Sequence, residues 1–210
     1  MSISDGLTLF HAPGSCSVGI RVLLEEIGVS YTLHTLDLRA GAQRDPAYLA
    51  LNPKGKVPAL GREDGSVLTE FPAIALWLAR RFPDAGLWPA DPEGEVRTLE
   101  LLDFLVSSVH MRGFTLALVP MKFVPDVAAQ RALADHGRKV AADGLAQVAA
   151  RLGKDPFLHG ARPGVADAAL VYMLPWAARV GIDLPAPLTD YHARMLARPA
   201  VRRALDLPAS

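Results

Sequence analysis

The chain has a single cysteine, Cys16, in 210 residues. One cysteine cannot form an internal disulfide, and alone it supplies neither a CxxC pair nor a cysteine-based zinc site. Any redox chemistry at this thiol therefore needs a second thiol from another molecule. The sequence also contains no GxGxxG string, P-loop, HExxH or nucleophile elbow, so these common nucleotide-binding, metalloprotease and hydrolase signatures are absent.

An excess of charge of one sign is also missing, because Lys plus Arg number 22 and Asp plus Glu number 22. No overall field draws such a protein to nucleic acid or to an anionic membrane, so neither partner is expected. Residues 1–6 lack the basic and apolar pattern of a signal peptide, and no later apolar run reads as long enough for a membrane span. We therefore expect a soluble cytoplasmic protein. The arginines near the C-terminus are typical of a solvated helix face: Arg194, Arg198, Arg202 and Arg203.

The first 84 residues carry nearly all of the β signals. Short apolar or alternating segments predict four strands, at 7–10, 30–37, 57–60 and 66–68. Apolar residues at helical spacing predict helices at 17–27 and 71–82, with Gly28 as the C-cap of the first. A strand, helix and strand in this order predict a parallel pair, and the turn at 63–65 predicts a hairpin.

A segment rich in proline and glycine, residues 83–92, separates this region from a helical one. Helical patterns then cover 93–119, 125–152, 165–180, 188–197 and 200–205. Asp167 stands at the third position of one of these helices, where its carboxylate can bond back to the helix start. We predict two domains, an α/β domain over 1–84 and an all-helical domain over 92–210.

Cys16 lies where the first strand breaks, through Pro13 and Gly14, into the first helix. The start of a helix has unpaired N–H groups and the positive end of a dipole, and both favour a thiolate. We therefore expect the pKa of this thiol to lie below its ordinary value of about 8.5. The alternative is a small buried side chain with no chemical role, because free cysteine is among the most buried residue types.

Two strings further along the chain are the most specific ones: Asn52-Pro53-Lys54-Gly55-Lys56-Val57-Pro58-Ala59-Leu60 and Asp64-Gly65-Ser66-Val67-Leu68-Thr69-Glu70. Together with the Cys16 turn they resemble the glutathione transferase family, and most of all its bacterial beta class. The resemblance covers nearly the whole chain. It implies a thioredoxin-like N-terminal domain, an all-α C-terminal domain and glutathione as co-substrate.

The bond between Val57 and Pro58 is a candidate for a cis peptide, because a prolyl bond lowers the cost of cis to about 0.5–1 kcal/mol. Such a turn aims the main-chain groups of Val57 outward, where an extended peptide can pair with them as an added strand. The resemblance implies that the cysteinyl part of glutathione docks there. The alternative is a proline with only a structural role in the turn.

Four more residues are candidates for binding glutathione. Glu70 and Phe71 stand where the hairpin meets the helix predicted at 71–82, so the Phe71 N–H can hold a carboxylate while Glu70 accepts an ammonium group. Lys56 could reach the glycyl carboxylate, with Arg39 as a helper. The family usually has Ser or Thr where this chain has Phe71, so we expect weaker glutathione binding, by roughly one hydrogen bond.

Three residues are candidates for catalysis. Cys16 matches the active-site cysteine of the beta class, whereas Ser15 lies near the position of the catalytic serine of the zeta class, and the sequence leaves both open. His110 lies where beta-class proteins often carry a His-Lys pair, although Met111 and Arg112 follow it here. A lone histidine on a helix is as often packed or solvated as catalytic.

The resemblance implies an enzyme that activates the glutathione thiol for attack on a small hydrophobic electrophile. Thiol-disulfide exchange through Cys16 is the alternative reaction. A binding protein without catalysis that has kept the fold is the alternative of another class. The family forms two-fold dimers, so a homodimer is expected, and no metal is needed.

Overall fold

The computed structural model of the protein describes residues 6–208. The parts of the domain predictions and of the signal-peptide interpretation that fall on residues 1–5 and 209–210 lie outside the described residues. The contacts divide the chain into two compact units. One unit contains the described residues up to Trp88 together with those from Ala197 onward, and the other runs from Pro89 to Leu196.

The first unit is built on a four-stranded sheet with the order β2-β1-β3-β4. Its strands are β1 (Leu7–His11), β2 (Tyr31–Thr35), β3 (Ala59–Gly61) and β4 (Val67–Thr69). β1 is parallel to β2 and antiparallel to β3, and β3 and β4 are antiparallel. The predicted parallel pair and the predicted hairpin are therefore confirmed. β1 lies between two other strands and is buried along its whole length, so both of its faces are covered.

Three helices lie in the same stretch of this unit, and the sequence predicts the first and the last of them. They are α1 (Ser17–Ile27), α2 (Pro46–Leu51) and α3 (Phe71–Arg81). α1 has the predicted bounds, and it ends at Gly28 in the left-handed conformation, with φ at 75°. The N–H of Gly28 donates to the carbonyl of Leu24, which satisfies one of the last acceptors of the helix. The predicted glycine cap is confirmed.

The second unit is helical. Its elements are α4 (Pro92–Asp103), a π-helical segment (Phe104–Phe114), α5 (Thr115–Leu118), α6 (Val127–Leu152), α7 (Val165–Arg179) and α8 (Ala186–Leu196). The sequence predicts one helix over 93–119, but the middle of this stretch has the wider turns of a π-helix. At its end the N–H of Thr115 donates to the main-chain carbonyl of His110, five residues earlier. A Cβ added to Gly113 would stand 2.9 Å from Ala141 Cα, so this segment and α6 approach at a distance that glycine allows.

Asp167 fixes the start of α7. Its Oδ2 accepts the N–H of Gly164 at 2.8 Å, which confirms the predicted bond back to the helix start. Its Oδ1 accepts the N–H of Leu158 and the hydroxyl of Tyr191, both at 2.9 Å. The carboxylate is fully buried, and these three donors replace the water that it loses.

The segment after Ala197 contains α9 (Pro199–Ala204) and belongs with the first unit, whereas the sequence places it in the helical domain. The buried face of α9, formed by Ala200, Val201 and Ala204, packs with α1 and explains the difference. Ion pairs accompany this packing, with Arg198 2.7 Å from Glu26 and Arg203 2.6 Å from Glu25. Arg21 pairs with Asp206 at 2.6 Å. The expectation of a solvated arginine face is thus wrong for half-buried Arg198, whereas Arg203 is paired but still exposed.

One helical stretch among residues 6–208, Pro92–Leu118, has the length and mean hydropathy of a membrane span, and a third of its most apolar window is buried. The sequence expectation that no run is long enough is therefore wrong by this measure. Length and composition are weak evidence of a span, since core helices share them. In its own unit the stretch packs against α6 and α7.

Candidate active site

The Val57-Pro58 peptide bond is cis, as the sequence predicts. The preceding carbonyl, that of Lys56, accepts the hydroxyl of buried Tyr48 at 2.6 Å and the amide of buried Asn52 at 2.8 Å. These two side chains hold the turn from beneath. Val57 lies just before β3, and within residues 6–208 no protein group accepts its N–H. Its main chain can therefore pair with an added peptide strand.

The structure brings Cys16 to this turn. The thiol is half-buried, and Sγ donates to the carbonyl of Val57 at 3.4 Å. Burial raises the pKa of the thiol to about 12; the N–H groups of Cys16 and Ser17 oppose the rise, as does Lys56, whereas Glu70 adds to it. The expectation of a lowered pKa is wrong, because the loss of water outweighs the start of the helix.

Ser15 belongs to a polar network beneath the Cys16 turn. Its Oγ lies 2.7 Å from the Oγ of Ser17, which in turn lies 2.8 Å from Nδ1 of His11. Ser17 and His11 are buried and Ser15 is half-buried. Sequence reasoning singled out Ser15 and missed the other two. The signal was a histidine at the end of a buried strand with two hydroxyls in the turn that follows.

Glu70 stands at the start of α3 with φ at 70°, a strained conformation for a residue with a side chain. Its carboxylate accepts Lys54 Nζ at 2.7 Å, and the same ammonium donates to Thr69 at 2.9 Å. Sequence reasoning missed Lys54 as a partner of this carboxylate. Phe71 is buried as the first residue of α3, so its side chain packs in the core and offers no hydroxyl to a ligand.

Lys56 and Arg39 are both exposed. Lys56 adjoins Val57, and its charge acts on the Cys16 thiol. Arg39 lies in the turn after β2, where its backbone N–H donates to the Asp37 carboxylate at 2.9 Å. The structure thus brings Lys56 to the turn at Val57 and shows no such contact for Arg39.

His110 lies in the π-helical segment of the second unit. Its Nδ1 is 3.1 Å from the hydroxyl of Tyr172, and its ring packs edge-on against Trp176 at 4.9 Å between centroids. Phe114 is buried beside the same tryptophan, at 5.8 Å. Within its unit His110 is thus held by aromatic partners.

No group of three or more His, Cys, Asp or Glu side chains in the part of the chain that the structure describes could hold a metal ion. The side chains near the Cys16 turn that can take part in binding or catalysis are a thiol, two hydroxyls, an imidazole and a carboxylate paired with lysine. Such a set can bind an extended peptide by its main chain and donate hydrogen bonds to a sulfur atom.

Comparison with known proteins agrees with this geometry. Residues 14–81 match the glutathione S-transferase N-terminal domain family, and residues 130–206 match the corresponding C-terminal domain family. The chain is similar to glutathione S-transferase GstA of Escherichia coli O157:H7, with 34% identity over 95% of this chain and 98% of the relative.

Solved structures show the same fold. A glutathione transferase homologue from Sulfitobacter with bound glutathione superposes with a TM-score of 0.89, at 28% identity over 96% of this chain and 98% of that one. A beta-class glutathione S-transferase of Sphingomonas chungbukensis has a TM-score of 0.79, at 35% identity over 95% and 97% of the two chains.

Proposed function

Because the chain belongs to the glutathione S-transferase family, we propose that it binds glutathione at the Val57 turn and activates its thiol for attack on a small hydrophobic electrophile. The observation that carries this proposal is the 3.4 Å contact between Cys16 Sγ and the Val57 carbonyl. It puts a hydrogen-bond donor for sulfur beside the main chain that pairs with the cysteinyl part of the tripeptide.

The γ-glutamyl end of glutathione carries one ammonium and one carboxylate. The ammonium would take the position beside Glu70 that Lys54 Nζ holds in the free protein, and the carboxylate would lie at the positive end of α3, near Phe71. Lys54 then keeps its contact with Thr69 or moves into solvent. Since residue 71 has no hydroxyl here, we expect weaker binding than in relatives with Ser or Thr.

The glycyl end carries the second carboxylate. Lys56 is exposed next to Val57, so it is the cation best placed to reach this group, and Arg39 is the more distant candidate. A lysine in solvent adds on the order of 0.2–1 kcal/mol to such a pair. The main-chain pairing at Val57 therefore contributes more to the orientation of the ligand than either cation.

The Cys16 thiol is neutral at physiological pH in the free protein, because burial raises its pKa. A neutral thiol is a poor nucleophile, but it can donate a hydrogen bond to the sulfur of glutathione. This favours conjugation over thiol-disulfide exchange through Cys16. In conjugation the proton of the glutathione thiol leaves to water, and the thiolate forms a bond to a carbon of the electrophile; with a chlorinated nitroaromatic the carbon–chlorine bond breaks and chloride leaves.

The test compares two reactions in one set of variants. We expect the protein to bind glutathione by calorimetry and to conjugate it to a chlorinated nitroaromatic. Cys16→Ala should keep conjugation and lose any disulfide reductase activity, whereas Glu70→Gln should raise the Kd for glutathione about tenfold, the value of one charged hydrogen bond. Glu63→Gln, on the exposed hairpin turn, is the matched control for the loss of an acid.

Each outcome decides between the candidate functions. No heat from added glutathione would contradict the proposal, and binding without turnover of any electrophile would indicate a binding protein that has kept the fold. Loss of both reactions in Cys16→Ala would make the cysteine the reactive group and favour thiol-disulfide exchange.

We also propose a catalytic role for His110, limited to the electrophile and not extended to glutathione. Its ring is already held by Tyr172 and Trp176. We also expect a cytoplasmic homodimer without nucleic-acid or membrane partners. The equal numbers of basic and acidic residues support the expected absence of nucleic-acid and membrane partners. The exposed apolar side chains of Val96 and Leu99 on α4 offer a surface for a second copy. Sedimentation at equilibrium tests the dimer.

A further inference from the structure

The network beneath the Cys16 turn is a row of three side chains that ends in a buried imidazole. Ser15 Oγ, Ser17 Oγ and His11 Nδ1 follow one another at 2.7 and 2.8 Å. His11 is 2% exposed and Ser17 is fully buried, whereas Ser15 is half-buried. The row thus runs from the interior of the first unit toward its surface next to Cys16.

A count of protons makes this row directional. Ser17 Oγ already accepts the N–H of Ala12 at 3.0 Å, and it has one proton to donate and one more lone pair. Ser15 and His11 therefore cannot both donate to it or both accept from it. Ser17 Oγ also lies 3.3 Å from the Ala12 carbonyl, a longer contact than its two contacts within the row. With the Ser17 proton in the row, either His11 donates to Ser17 and Ser17 donates to Ser15, or the whole row points the other way.

The direction decides what Ser15 can offer a ligand. When the row starts at His11, the proton of Ser15 is held by the Ala12 carbonyl at 2.8 Å, from which the hydroxyl can rotate toward a ligand. When the row starts at Ser15, its proton is committed to Ser17. A negatively charged sulfur favours the first direction, because every hydrogen in the row then points toward the charge and each bond polarises the next.

We propose that His11 is a positioning residue: through Ser17 it directs the hydroxyl of Ser15 toward the thiolate of bound glutathione. The inference rests on the proposed function and extends it from Cys16 to a second group beside the sulfur. The imidazole acts as a neutral Nδ1–H donor, and the proton of the thiol leaves to water, so no proton is stored on His11.

The surroundings of His11 keep the ring neutral. Burial lowers its pKa to about 4, and the guanidinium of Arg21 on α1 adds to this, whereas the Asp206 carboxylate opposes it. On the neighbouring strands, the residue paired with His11 is Thr35 on β2, and β3 pairs Ala59 with the adjacent Phe10. Neither of these residues titrates.

The test is the pKa of the glutathione thiol in the complex, measured by ultraviolet difference absorbance of the thiolate against pH. We expect His11→Phe and Ser17→Ala each to raise this pKa and so to lower the thiolate fraction at neutral pH about threefold. Ser15→Ala should also raise the pKa and should lower the thiolate fraction about tenfold. His11→Asn keeps an amide donor near the position of Nδ1 and should restore much of the effect.

Two controls separate positioning from structural damage. S-methylglutathione has no acidic thiol, so its Kd should be the same in His11→Asn, Ser17→Ala and the unchanged protein. His34→Phe alters the other histidine of this sheet, which packs against Phe10 at 5.3 Å, and should leave the thiolate pKa unchanged.

An unchanged thiolate pKa in both His11→Phe and Ser17→Ala would overturn the inference. So would a matching loss of S-methylglutathione binding in every variant, because the effect would then be structural. If the unchanged protein bound glutathione but no variant shifted the pKa, the inference would fail while the proposed function stood. Absence of glutathione binding in the unchanged protein would overturn both.

Discussion

The two units each bury a polar cluster, and the clusters differ in whether they are closed. In the helical unit, the Asp167 carboxylate is enclosed by donors from Gly164, Leu158 and Tyr191. In the first unit, the row that starts at His11 ends at Ser15, whose hydroxyl is half-buried and holds its proton on a carbonyl from which it can turn. The closed cluster stabilises a helix start, whereas the open one can act on a ligand.

The difference shows how buried polarity divides between folding and function. Every buried polar atom needs a partner, and a cluster that supplies all partners itself has nothing left for a substrate. A cluster with one rotatable member at the surface keeps a hydrogen bond available. The residue types alone do not separate these cases, because both clusters combine hydroxyl and backbone groups with a titratable side chain.

Breaking the closed cluster should have the largest effect on stability. Asp167→Ala leaves the N–H groups of Gly164 and Leu158 without an acceptor and leaves the Tyr191 hydroxyl only the main-chain carbonyl of residue 167, at 3.5 Å, so we expect a loss of about 4 kcal/mol in the free energy of unfolding. Denaturant unfolding followed by circular dichroism measures it. Asp167→Asn keeps one acceptor oxygen and should lose less; equal losses would contradict the role of the three bonds.

The second largest effect on stability should come from acid, through the protonation of His11 in the open cluster. Burial lowers the pKa of His11 to about 4, below its unfolded value of 6.5. The unfolded chain therefore binds this proton first, so the stability that neutral His11 contributes is present above pH 6.5 and is lost as the pH falls toward 4. The loss is about 3 kcal/mol.

The pH dependence is measured as the difference between the unchanged protein and His11→Asn, which should lack this loss. In the helical unit two groups oppose each other over the same range. Burial lowers the pKa of His159 to about 4 and raises that of Asp167 to about 6. His159→Gln is therefore the matched variant, and an acid loss identical in His11→Asn and the unchanged protein would contradict the prediction.

Removing the half-buried hydroxyl of Ser15, at the surface end of the open cluster, should have the smallest effect on stability. Ser15→Ala removes a half-buried hydroxyl that accepts the N–H of Ser17 at 3.2 Å, so we expect a loss of about 1 kcal/mol, the value of one hydrogen bond, in the free energy of unfolding. Thermal unfolding in the absence of ligand checks this. A loss as large as that of Asp167→Ala would show that Ser15 belongs to a structural cluster and would remove the contrast between the units.

Local pattern predicted most of the fold. The bounds of α1, its glycine cap, the parallel pair, the hairpin and the cis bond at Pro58 all follow from spacing and turn chemistry among neighbours in sequence. The π-helical segment could not be predicted in this way, because the apolar spacing of residues 104–114 fits an α-helix equally well. The position of α9 depends on packing and ion pairs with α1, which is far away in the sequence.

The candidate site shows the same limit. Motifs in the sequence singled out Cys16, Val57, Pro58 and Glu70, which the structure brings to one region of the first unit. The prediction of a lowered pKa for Cys16 was wrong because a motif shows the start of a helix but not the water that the fold removes from the thiol. Lys54 was missed because its partner lies 16 residues away, across the hairpin.

The sequence by itself determined most of the order and type of the secondary structure, the proline turn and the family, because each depends on residues close together in the chain. The tertiary structure alone decided which polar groups are desolvated and what they contact. It made Cys16 a neutral donor to Val57 and placed His11 beneath Ser15. The reason is that burial and hydrogen-bond direction depend on atoms brought together from distant parts of the chain.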